Sequence, residues 1–130
     1  MLYEVASSKP LNDIDRDLRA AAAENKFGVL TVHDLQETMR NKGVDFNGTC
    51  LIYEVCNPHQ AKKVLEANGA VSTALPCRIS VYAAPDGKFR VATLLPTAVM
   101  SMFGNPELEP VAAEVESVMR AIMNSAAGGQ

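Results

Sequence analysis

The residues of this chain best able to do chemistry are its three cysteines, Cys50, Cys56 and Cys77, and the histidine at position 59. Cys56 opens the run Cys56-Asn57-Pro58-His59, and Cys77 sits in Leu75-Pro76-Cys77-Arg78. A thiol just ahead of a helix start faces unpaired backbone N–H groups, which favour the thiolate and draw its pKa below the free value of about 8.5. Arg78 sets a positive charge beside Cys77, to the same end. Two such thiols could carry sulfur, exchange a disulfide or hold a soft ligand. The C-x-x-H spacing of Cys56 and His59 also suits a metal, with Cys77 as a third ligand; four-coordinate zinc would further require Cys50 to converge on them. Against all of these stands the plain alternative, since unreactive cysteine is among the residue types most often buried as a small apolar side chain.

The elements that must position these residues can be read from periodicity. Asn57 is a good N-cap and Pro58 suits the first helical position, so a helix is expected over 58–68 with Gly69 ending it. Residues 49–56 alternate, which puts Cys50, Ile52, Glu54 and Cys56 on one face of a strand and Leu51, Tyr53 and Val55 on the other. Pro76 bends the entry to a strand at 78–83, and the Ala84-Pro85-Asp86-Gly87-Lys88 turn joins it to a strand over 89–95 in a hairpin. If strands 49–56 and 78–83 are neighbours, Cys56 and Cys77 approach the same end of one sheet.

Upstream, Leu2 to Ala6 reads as a strand, and Leu11, Ile14, Leu18, Ala21 and Ala22 mark an amphipathic helix ended by Lys26 and Gly28. Phe27 to Val32 is β-branched and apolar, a buried strand. Asp34 and Glu37 then form a capping pair for a short helix closing at Gly43. Downstream of Pro96, the Met-bearing segment 97–104 fits no single class. A last helix is expected from Asn105-Pro106 or from Pro110, burying Val111, Val115, Val118, Met119 and Ile122. The order of strands and helices, with the hairpin and terminal helix, favours an α+β sheet with helices on one face over a parallel α/β sheet. One domain over 1–124 is expected, with 125–130 as a flexible C-terminal tail.

Length and composition bound the function. A chain of 130 residues with 48% hydrophobic and 21% charged residues has the balance of one folded domain. Its net charge of −3 gives no basic field for nucleic acid. The N-terminus lacks the pattern of a signal peptide, and no apolar run approaches the roughly 20 residues that span a bilayer. A cytoplasmic protein with no membrane or nucleic-acid partner is expected, and an odd number of cysteines then reads as reduced thiols or ligands. The sequence designates no cofactor. G-x-S-x-G, G-x-x-x-x-G-K and H-E-x-x-H are absent, and Asp34, next to His33, is better explained as a cap than as an imidazole's partner.

Three segments, FGVLTVHDLQETMRNKGVDF, YEVCNPHQAKKVLEA and LPCRISVY, together resemble a bacterial and archaeal family catalogued as domain of unknown function 302, over about residues 12–96. The paired CNP and LPC motifs are its specific part. The resemblance implies a TATA-binding-protein-like curved antiparallel sheet with helices packed against it, and a homodimer. It also implies that Cys56, Asn57, Pro58, Leu75, Pro76 and Cys77 lie at shared motif positions. It supplies no reaction. Where relatives often carry an acid after the VY strand and an Asp-Pro after the last strand, this chain has Ala83 and Leu95-Pro96.

These observations leave three readings. The first is a small thiol protein whose Cys56 and Cys77 form one catalytic, sulfur-carrying or soft-ligand site, flanked by Asn57, Pro58, Pro76 and Arg78. The second is a non-enzymatic homodimeric module that binds an apolar small molecule or a partner protein. The third is a metal or haem site using Cys56, His59 and Cys77.

Overall fold

In the computed structural model, which describes residues 1–128, five strands form one open antiparallel sheet in the order β1-β5-β4-β3-β2. The strands are β1 (Leu2–Ser7), β2 (Gly28–Asp34), β3 (Cys50–Cys56), β4 (Cys77–Ala83) and β5 (Phe89–Leu94). The helices are α1 (Leu11–Glu24), α2 (Leu35–Asn41), α3 (Pro58–Ala67), α4 (Pro96–Ser101) and α5 (Leu108–Ala127), with a 3-10 helix at Gly69–Ala74 between α3 and β4. This is the α+β arrangement expected from the element order. β4 and β5 form the expected hairpin, in which Gly87 takes φ +83° and so closes a turn that side-chain-bearing residues resist.

Alternation along the strands gives the sheet two unlike faces. Tyr53, Val55, Ile79, Val81 and Val91 point inward and are wholly buried. Against them pack α1, through Ile14, Leu18 and Ala22, and α5, through Met119, Ile122 and Met123. Among the described residues the opposite face has no helix layer over it, and it carries Glu54, Ser80, Tyr82 and Arg90 beside Leu2 and Leu94, by the pleat of the same strands. A second, smaller core joins Val64, Val71, Met100, Leu108 and Ala112, so α3, the 3-10 helix and α4 are fastened to the N-terminal half of α5.

Sequence expectation and structure part at element ends. The segment 97–104 resolves into α4 opening at Pro96, and the last helix begins at Leu108, between the two starts expected. Between α3 and β4 the chain coils as the 3-10 helix, with the Asn68 side chain accepting from the Ala70 N–H at 3.0 Å. α1 ends in a Schellman motif centred on Lys26 at φ +63°, with the Phe27 N–H reaching Ala22 O at 2.8 Å, so the left-handed residue is the lysine and not Gly28.

The expected loose tail starts too early. α5 continues to Ala127, and Ala126 and Ala127 are buried in the core, because small side chains there let the helix lie close against the end of β1. The Ser7 hydroxyl donates to Ala127 O at 2.7 Å and Lys9 Nζ to Ala126 O at 2.8 Å, satisfying carbonyls that a helix end leaves open. Residues 129–130 of that tail lie outside the described residues.

Candidate functional site

Cys56 is the last residue of β3 and Cys77 the first of β4, and the two strands are antiparallel neighbours. Their register decides what the thiols can do. Cys77 stands opposite Val55, one step from Cys56, and a single step along a strand turns a side chain to the other face. Cys77 therefore packs with the core while Cys56 begins the turn into α3. All three cysteines are free, and no two are close. Cys50, at the far end of β3, lies six residues from Cys56, about 20 Å along a strand.

The expected thiolate activation is also missing. Asn57 Oδ1 accepts from the N–H groups of His59 at 3.0 Å and Gln60 at 3.2 Å, so the cap consumes donors that would otherwise face Cys56. Burial dominates instead. It raises the Cys56 pKa, and it pushes the Cys77 thiol up to about 11, with a smaller contribution from the charge of Cys56. Arg78, expected to favour a thiolate at Cys77, turns to the opposite sheet face and pairs with Glu54 at 3.4 Å. His59 is exposed on α3, and among the described residues no three His, Cys, Asp or Glu side chains gather to hold a metal ion. The proposed ligands Cys56, His59 and Cys77 are thus not brought together, since Cys77 faces the core and His59 faces solvent.

What the motif segments do build is a pair of hollows sharing one wall. The first is a narrow apolar cavity of about 30 Å³ between α3, β3 and α5, lined by Phe27, Cys56, Asn57, Gln60, Cys77 and Val115 among others. Gln60 Nε2 donates to Glu114 at 2.7 Å, while its buried Oε1 has no partner among the described residues. The second is an open groove of about 370 Å³, running between the 3-10 helix and β4 on one side and β5 and α4 on the other. Leu75, Cys77, Pro96 and Met100 border both hollows. The groove adds Pro76, Arg78, Leu94, Val99 and Met102, and its volume falls within the range of small-molecule sites. The Leu75–Pro76 peptide bond on its rim is cis. Pro58, at the first position of α3, is exposed and borders neither hollow.

Of the residues expected at a site, Cys56 and Asn57 line the narrow cavity, Pro76 and Arg78 line the groove, and Cys77 lines both. Sequence reading did not reach α4, whose Pro96, Val99 and Met100 form the far wall, because 97–104 carries no clear period. It also missed a cross-strand cluster on the open sheet face, in which Glu54 receives Arg78 and His33 Nε2, the latter at 3.2 Å. The alternation of β3 put Glu54 on that face; only the pairing of β2, β3 and β4 supplies its two partners.

A five-stranded open antiparallel sheet with helices on one face and a motif-lined groove at its end defines the class, a small α+β protein. The chain belongs to the family described as domain of unknown function DUF302, whose model matches residues 3–126. It is similar to a solved structure described as an uncharacterized conserved protein DUF302 from Bacillus stearothermophilus, at 32% sequence identity and a TM-score of 0.90, covering 96% of this chain and 97% of that one. No curated protein matches.

Proposed function

We propose that this protein is a small-molecule binding module of the cytoplasm, in which the groove bordered by Leu75, Pro76, Cys77, Pro96, Met100 and Met102 takes an apolar ligand with soft character. The observation carrying this reading is that the LPC motif and α4 enclose about 370 Å³ of largely apolar space with two thioethers and a thiol in its walls. The sulfur-carrier and disulfide-exchange readings both need a thiolate, and burial works against one at Cys56 and at Cys77. Cys77 then serves as a polarisable wall and not as a nucleophile. No helix among the described residues is long and apolar enough to cross a membrane.

The test is titration with N-phenyl-1-naphthylamine, a neutral apolar fluorophore. Saturable enhancement in the wild type is expected, and its loss in Ala74→Trp, which fills the groove from the 3-10 helix. Enhancement unchanged by Ala74→Trp, or none at all, would sink the reading.

A homodimer through the open sheet face is the second reading. It is favoured by Leu2 and Leu94, paired across β1 and β5 and both more than half exposed. Sedimentation at micromolar concentration should give a dimer for the wild type and a monomer for Leu94→Glu; two monomers would refute it.

A further inference from the structure

We propose that the ligand of the groove is an anionic amphiphile, an apolar chain ending in a carboxylate or phosphate, with Arg78 receiving the head group. The inference rests on the groove being the binding site and names the class of molecule it takes. Apart from Arg78, the polar side chains bordering the groove are Thr73 and Thr93. The Thr93 hydroxyl is already committed to Arg78 O, at 2.6 Å. The remaining walls are aliphatic or sulfur-bearing, so the groove offers an apolar length and a single charged end.

Arg78 has donors to spare. Its side chain is 62% exposed, and among the described residues its one ion pair is the single Nη2 contact to Glu54 Oε2. A guanidinium carries five N–H donors in a planar fork that fits a carboxylate or phosphate edge. Glu54 holds that guanidinium loosely, because the same oxygen also meets His33 Nε2. Being only 18% exposed, Glu54 acts as a tether that keeps Arg78 at the groove mouth while leaving the outer face of the fork to solvent. A cation at one end of an apolar groove is complementary to an anion at one end of an apolar chain. A larger hollow of about 500 Å³ between α4 and the start of α5 is lined, among the described residues, by no cation and by none of the motif residues, and it includes Glu109.

Competition against bound N-phenyl-1-naphthylamine tests the proposal, with decanol, decanoate and decyl phosphate as competitors. Both anions should displace the fluorophore at about tenfold lower concentration than decanol, the gain of a charge-assisted hydrogen bond at an open site. Arg78→Gln should abolish that preference, bringing both anions to the level of decanol, and Glu54→Gln should strengthen both anions. Preference for one anion over the other identifies its head group. If decanol and the anions compete equally, or the preference survives Arg78→Gln, the head-group assignment is overturned while the groove stands. If no competitor displaces the fluorophore, or the fluorophore does not bind, the groove reading itself falls.

Discussion

The state of Cys77 separates a binding groove from a thiol enzyme, and it is measurable by alkylation. Burial lifts the Cys77 pKa from an ordinary 9.0 to about 11. Each pH unit is a factor of ten, so the folded protein holds about a hundredfold less Cys77 thiolate at neutral pH than the unfolded chain. Labelling with iodoacetamide, followed site by site by mass spectrometry, should therefore modify Cys77 at least about a hundredfold more slowly in folded than in unfolded protein near pH 7.5. Its rate should climb about tenfold per pH unit with no plateau below about pH 10. Cys56, raised less far, should label faster and serves as the internal reference. The same proton affects stability. Between the unfolded pKa near 9 and the folded value of about 11 the native state binds more protons, so stability falls as pH rises through that window. Cys77→Ala should flatten that part of the profile. A plateau near pH 8 or lower, or a folded rate equal to the unfolded one, would refute the burial argument and restore the activated thiolate.

Other expectations concern what holds the frame. Tyr53→Phe removes a hydroxyl that donates to Asp15 Oδ1 at 2.6 Å from a wholly buried ring. Asp15 keeps Arg19 and some water, so the loss should be about 1 kcal/mol by urea denaturation. Ser7→Ala leaves Ala127 O without its donor in a buried setting and should cost about 1–2 kcal/mol, with faster hydrogen exchange confined to the last turn of α5. Lys26→Gly relieves a left-handed lysine in the Schellman motif and should raise stability by about 0.5–1 kcal/mol, visible as a higher Tm.

Leu95 is the N-cap residue of α4 and makes no side-chain cap, and Pro96 behind it borders both hollows. An acid at the cap would place a negative charge next to the apolar wall. Here that end of the groove is apolar, leaving Arg78 as its charged residue.

Local chemistry determined much of this protein before any fold was known. Asn57 and Pro58 start α3, Asp34 caps α2 through Glu37 N–H at 3.1 Å, Gly87 closes the hairpin, and alternation in 50–56 assigns the faces of β3, because each is set within a few residues of chain. The CNP and LPC segments were likewise legible as motifs. The relation between them was not. Register put Cys77 opposite Val55 and not opposite Cys56, so the two thiols border one narrow cavity without pairing across the strands, and burial, which depends on what α3, α4 and α5 bring from distant sequence, raised both pKa values. Glu54, His33 and Arg78 meet only because β3 lies between β2 and β4. The far wall of the groove comes from a segment without a period of its own, which coils as α4 because Pro96 starts it and the second core holds Met100. Sequence thus set the local caps, turns and strand faces, while strand register and helix docking, both long-range, decided which side chains share a space.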